Sequence, residues 1–175
     1  MGLDFRPGKK VDGGSGDPAA APDTNTGRTS ELGQELIRFF EGCELTAYKL
    51  PGEEHYTIGY GHYGPDVYEG QQITQAVANQ LLRDDLERFE QAVQKLITVP
   101  LTQSEFDATV SFTFNTGEGA LAESTFRRRI NTGEDKTFCF QQEFPKWVQG
   151  ASGPLPGLVK RRAAEVKLAV QNKFP

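Results

Sequence analysis

Glu41 stands where an apolar helical pattern, Leu32, Leu36, Ile37, Phe39 and Phe40, gives out at Gly42, and Thr57 follows in the next polar stretch. A carboxyl group held among aromatic side chains loses hydration and keeps its proton more readily, which suits a proton donor near neutral pH. A hydroxyl such as that of Thr57 can orient a water molecule, and the segment around it supplies further carboxylates, Glu44, Glu53 and Glu54. One acid and one group that places water are the minimum for hydrolysing a glycosidic bond. Taken alone, Glu41 reads better as a solvated acid at a helix end; what favours chemistry is the prospect that Thr57 and the neighbouring carboxylates face a shared cleft.

The elements that would position these groups are legible from periodicity. Ser30 is a helix N-cap in front of the Leu32–Phe40 pattern, so a helix is expected to end near Gly42. In LTAYKLPGEEHYTIGYGH, two short runs rich in Tyr, Thr and Ile flank Pro51-Gly52 and predict a β-hairpin. Thr74 opens a long amphipathic helix carrying Leu82, Leu86, Phe89, Val93 and Leu96. Thr102-Gln103-Ser104-Glu105 is a capping box before Phe106, Val110 and Phe114, and the stretch from Asn115 to Gly119 stops that helix. Further helices are predicted over about 125–131, 136–148 and 158–172, with a loop at GASGPLPG. The fold class is α+β: a small β-hairpin lobe joined by a long helix to a mostly helical lobe, with a cleft between them as the natural ligand site.

Composition narrows the function classes. The 175 residues suit one domain plus a tail, and 19 basic against 24 acidic side chains, net −5, disfavour a protein that coats nucleic acid by bulk attraction. No apolar run approaches the roughly 18 residues that span a bilayer. The opening MGLDFRPGKK lacks the apolar core of a signal peptide. Residues 1–30, rich in Gly and Pro, read as a flexible tail or linker, and residues 31–175 as the folded unit. Cys43 and Cys139 are too few for a disulfide scaffold and too far apart for a CxxC pair, and read as small packed residues. No zinc-ligand spacing, phosphate loop or GxSxG occurs, so neither a metal nor a nucleotide cofactor is implied.

The stretch from Glu41 to His62, EGCELTAYKLPGEEHYTIGYGH, resembles the signature of the phage-type lysozyme and endolysin family of glycoside hydrolases. The likeness continues through LTQSEFDATVSFTFNTGEGA, PKWV and LPGLVKRRAAE, in the family's order, over nearly all of residues 31–170. It implies a muramidase that cuts the β-1,4 bond between N-acetylmuramic acid and N-acetylglucosamine in bacterial peptidoglycan. It also implies a monomer that reaches the wall after release or delivery from the cytoplasm or a phage particle. The family works with a Glu that protonates the leaving oxygen and an Asp and a Thr that place and activate water. Glu41 and Thr57 match the first and last. The place of the aspartate is taken by Leu50, and the turn before Thr57 is one residue longer than usual. The family usually inverts configuration, which needs carboxyl groups roughly 6.5 to 9.5 Å apart. Tyr63, Phe114 and Asn115 fall where the family's substrate groove lies, although Phe114 also fits a core stripe. His62 and Trp147 are expected to serve structure rather than substrate.

A leucine cannot orient water, so another group must substitute or the chemistry is impaired. If the second strand is regular back to the turn, alternation puts Glu53 and His55 on the face of Thr57 and Glu54 on the other, which favours Glu53 as the replacement carboxylate. An irregular turn would undo that parity and bring in Glu54. The competing reading is a retired enzyme used as a peptidoglycan-binding or scaffold module. The basic clusters Arg127–Arg129 and Lys160–Arg162 read as solvated helix faces, or as patches attracting anionic wall polymers.

Overall fold

The computed structural model describes residues 24–174. The expectation of a tail over residues 1–23 therefore lies outside the described residues. Residues 24–30, assigned to the same tail, instead form a docked strap. The amide of Asn25 donates to the Leu101 carbonyl (2.8 Å), Gln94 Nε2 donates to the Gly27 carbonyl (2.7 Å), and the backbone N–H of Thr29 donates to Glu90 Oε1 (2.7 Å). These partners lie far away in sequence, on the helix Gln75–Leu96 and in the connection after it, which is why local composition gave no sign of them. Buried Glu90 also takes the Thr29 hydroxyl and pairs with Arg28, so its charge is compensated where it would otherwise be costly.

Helix α1 (Glu31–Glu41) starts at Ser30, whose side chain accepts from the Gly33 amide. It buries Leu36 and Ile37 and ends at Gly42, where φ is +71° and the chain can turn only because no Cβ opposes it. Strands β1 (Glu44–Tyr48), β2 (Tyr56–Gly59) and β3 (His62–Gly64) form an antiparallel sheet in that order. The expected hairpin is thus a three-stranded sheet. The third strand hides behind Gly59 and Gly61, whose positive φ values make the tight β2–β3 turn that the sequence presents only as glycine punctuation.

Helix α2 (Gln75–Leu96) is capped by Thr74 and buries Leu82, Leu86, Phe89 and Val93, four residues of the predicted stripe, as it runs from the sheet into the helical lobe. Helix α3 (Gln103–Thr116) begins with the predicted capping box, both halves of which are formed. It is buried on nearly every side from Ser104 to Thr113, so its hydroxyls must be satisfied internally. Thr109 and Thr113 do this by donating to the carbonyls one turn back, Glu105 and Thr109, each at 2.7 Å.

Around α3 stand α4 (Glu118–Glu123), α5 (Thr125–Asn131), α6 (Lys136–Glu143) and α7 (Pro156–Gln171). Helix α4 was not expected; it follows Gly117, whose φ of +90° restarts the chain after α3. The helix predicted to run to Val148 stops at Glu143 and tightens into a single 3-10 turn over Phe144–Lys146, because Pro145 has no N–H to donate and crowds the preceding turn. The loop before α7 contains a two-residue ladder, β4 (Gln149–Gly150) with β5 (Gly153–Pro154). Phe112, Phe126, Phe140 and Phe144 meet with ring centroids 4.5 to 5.0 Å apart and form the centre of the helical lobe. The architecture is the expected α+β arrangement of sheet lobe, long helix and helical lobe. Among the described residues no helix is long and apolar enough to cross a membrane.

Candidate active site

Glu41 is the last residue of α1, so its position is set by a helix wedged against α3 and α7 rather than by a loop. Two adjoining hollows, of about 380 and 360 Å³, meet at Glu41 and Gly61. The first lies between the lobes and is lined by Tyr63 of β3, Asp85 and Arg88 of α2, and Phe114 and Asn115 of α3. The second runs along the sheet past Cys43 and Tyr48. Together they make a groove with the Glu41 carboxyl midway along it.

Phe39 does not shelter Glu41 as its place in the sequence suggested. Phe39 is 70 % exposed and packs on Phe40 and Phe174. What meets the carboxyl is a guanidinium: Arg161 Nη1 donates to Glu41 Oε1 at 2.5 Å. The other oxygen has no protein partner among the described residues. Arg161 is itself buried and fixed by Glu165 (Nε to Oε1, 3.1 Å) and the Ser111 carbonyl (3.2 Å). Glu165 takes Arg162 on its second oxygen (2.7 Å) and the Ser111 hydroxyl on its first (2.8 Å). Arg162 reaches the Trp147 carbonyl (3.1 Å) and the side-chain oxygen of Asn115. One largely buried network of two arginines and two glutamates thus ties Glu41 to Asn115, and both side chains face the same hollow. Since the Asn115 oxygen is engaged, its amide N–H groups are left to donate into the groove.

The reading of Lys160–Arg162 as a surface patch is corrected by this arrangement: only Lys160 is exposed, and Arg161 and Arg162 form part of the interior. In the other basic cluster, Arg129 is held by Glu134 and Glu143. The local spacing of Arg161, Arg162 and Glu165 was the available signal, because residues three and four apart share one helix face.

Tyr63, Phe114 and Asn115 are brought together with Glu41 as expected, and Phe114 does double duty, its ring edge-on to Phe89 at 5.0 Å. Thr57 sits between Tyr48 and Tyr63 in the sheet register. Directly opposed residues share a face, so Thr57 is on the sheet face of the two tyrosines that line the hollows, but it is itself buried and lines neither hollow, while Ile58 points into the core. Glu53 and Glu54 line neither hollow. The parity expectation fails in its premise, because β2 starts only at Tyr56 and residues 53–55 form an irregular turn. Glu53 Oε2 instead accepts from the backbone N–H of Leu50 at 2.9 Å, while Glu54 is exposed. Trp147 is half-buried, its ring perpendicular to Phe112 at 5.3 Å. Both cysteines are free; Cys139 is buried and Cys43 lies at the groove wall.

A phage lysozyme family model matches residues 38–165. The chain belongs to the phage lysozyme family. The endolysins of Bacillus phage PZA and Bacillus phage B103 are 46 % and 48 % identical to it over 140 residues, which is 79 % and 78 % of this chain. The chain spans only about half of those relatives' length, 54 % and 51 %. Among solved structures, the muramidase domain of SpmX from Asticaccaulis excentricus superposes with a TM-score of 0.74 at 38 % identity, covering 82 % of this chain and 98 % of that one.

In this member of the family, His62 links the sheet to the long helix. Its Nδ1 meets Asp85 Oδ1 at 2.9 Å and its Nε2 meets Asp66 Oδ2 at 2.9 Å. Burial works to lower the imidazole pKa, but the hydrogen bonds and charges of Asp66 and Asp85 outweigh it and leave it raised. The hydrogen bond from His62 lowers Asp66, whereas burial raises Asp85. A raised histidine stabilises the fold fully below its unfolded pKa of about 6.5 and ceases to do so as pH rises through the folded value. The clamp is therefore expected to weaken from about pH 6.5 upward. His62→Gln should cost about 1 kcal/mol at pH 5.5 and less at pH 8.5, read as converging melting temperatures. A constant gap across that range would mean that the histidine charge contributes nothing.

Proposed function

We propose that this chain hydrolyses the β-1,4 bond between N-acetylmuramic acid and N-acetylglucosamine in bacterial peptidoglycan. The observation that carries the reading is Glu41: a carboxyl at the midpoint of a groove between lobes, anchored from behind through one oxygen by Arg161 and open on the other. In this mechanism Glu41 gives its proton to the leaving glycosidic oxygen, and Thr57 places the attacking water from the sheet side. Tyr63 and Phe114 offer ring faces to the sugars, and the Asn115 amide donates to an acceptor such as an acetamido oxygen. The groove lies wholly within one chain, which supports a monomer. The endolysin relatives support action on the cell wall, which the chain would reach after release from the cytoplasm or a phage particle.

Glu53 is our candidate for the part of the missing aspartate, although it lines neither hollow. Its carboxylate accepts from the backbone N–H of Leu50 at 2.9 Å, which keeps a negative charge beside residue 50. Glu53→Gln should lower turnover by about 10²-fold or more, and Glu54→Gln by less than about threefold. Equal residual activities would reject the assignment.

The reading itself is tested by incubating purified peptidoglycan with the chain and following new reducing ends, with mass analysis of the fragments. Fragments ending in reducing N-acetylmuramic acid are expected. A folded chain that binds the polymer and releases none would establish a binding module instead.

A further inference from the structure

Asp85, Arg88 and Phe89 lie on one face of α2 and all three line the hollow between the lobes. Asp85 is committed to His62, and Phe89 packs against Phe114. Arg88 has no comparable structural commitment. Its side chain is 69 % exposed and makes one ion pair, Nε to Glu118 Oε1 at 3.0 Å, with a partner that is itself 43 % exposed. Such pairs contribute little to stability. Its guanidinium carbon stands 4.6 Å from the centre of the Phe89 ring, so the plane is held in place while Nη1 and Nη2 find no partner among the described residues. The other charged residues lining this hollow, Glu41 and Asp85, are acidic, in a chain of net charge −5. Among the described residues, Arg88 is thus the one cation lining it.

Resting on the muramidase reading, we infer that Arg88 is a specificity-determining residue. Its open nitrogens grip a free carboxylate on the peptide carried by the N-acetylmuramic acid units of the glycan in the groove. A planar fork with two parallel N–H donors matches a carboxylate better than any lone ammonium would. Glu118 occupies only Nε, so it orients the fork without blocking it. In a hollow whose other charged lining residues are acids, this contact also offsets the repulsion that a carboxylate-rich polymer would meet.

The test uses one peptidoglycan preparation, extracted to remove phosphate polymers and divided into a portion with free peptide carboxylates and a portion with those carboxylates converted to amides. The quantity read is the ratio of kcat/KM on the two portions, measured within each variant, so that a general loss of activity cancels. The native chain should prefer the free carboxylates by about fivefold. Arg83→Gln, on the same helix but bonded to Gln80 and outside the hollow, should keep that preference. Arg88→Lys should retain part of it, and Arg88→Gln should bring the ratio close to one.

A native chain that does not distinguish the two portions, or an Arg88→Gln chain that still does, overturns the inference and leaves the muramidase reading intact. A preference that depends on Arg88 only when phosphate polymer is left on the wall would assign the fork to phosphate and overturn the carboxylate. If the native chain cleaves neither portion, the muramidase reading fails on its own, and co-sedimentation with the two portions reads the same ratio as binding.

Discussion

Replacing Glu41 by Gln is expected to lower reducing-end release from peptidoglycan by about 10²- to 10⁴-fold while leaving the protein folded. The variant removes the transferable proton but keeps the side-chain oxygen that Arg161 Nη1 donates to at 2.5 Å, so the buried guanidinium retains an acceptor. Stability should change by no more than about 1 kcal/mol in either direction, since no hydrogen-bond partner is lost from the network. The measurement pairs a reducing-end assay with urea unfolding of the same samples. A variant that stays folded and loses turnover places Glu41 at the bond being broken. A variant that keeps turnover within about threefold of the native chain sinks the assignment, because a general acid contributes far more than that.

Glu165→Gln should have the largest effect on stability. Glu165 is completely buried and is the shared counter-ion of Arg161 and Arg162, both of which are also buried. Neutralising it leaves two guanidinium groups inside the protein with only Glu41 to balance them. Breaking a buried pair in this way typically costs about 3 to 5 kcal/mol, because the orphaned charge has lost both water and partner. The loss should appear as a lower urea midpoint with an unchanged slope. Activity should fall as well, since the same network holds Glu41 at one end and Asn115 at the other. A destabilisation below about 1 kcal/mol would mean that water reaches the arginines and the network is not closed.

Much of the scaffold was legible because burial in helices is periodic. Leu82, Leu86, Phe89 and Val93 recur at helical spacing and all four are buried, and the Thr102–Glu105 box caps α3 from both sides. The third strand and α4 were not legible, since each is short and set off by a positive-φ glycine that reads only as a break. In the groove, Glu41, Tyr63, Phe114 and Asn115 were found together because each belongs to an element whose face could be predicted. Arg161 was misplaced for a physical reason: charged residues in a row on a helix ordinarily face water, and the burial of Arg161 and Arg162 is tolerable because buried Glu165 pairs with both and Glu41, far away in sequence on α1, takes Arg161 as well. The position of the Glu53 carboxylate was likewise hidden, because it depends on a hydrogen bond inside an aperiodic turn.

The strap formed by residues 24–30 determines how anything joined ahead of this unit would be carried. It crosses α2 at Glu87, Glu90 and Gln94, on the side of the helix turned away from Asp85, Arg88 and Phe89. It then meets the start of α3, where Thr24 pairs with Thr102, whereas the groove is reached only at the other end of that helix, about 20 Å away. A fusion partner attached before Thr24 would ride on the back of the molecule and leave the groove unobstructed. Trimming into the strap, by contrast, would uncover the Glu90 carboxylate and loosen the long helix that joins the two lobes.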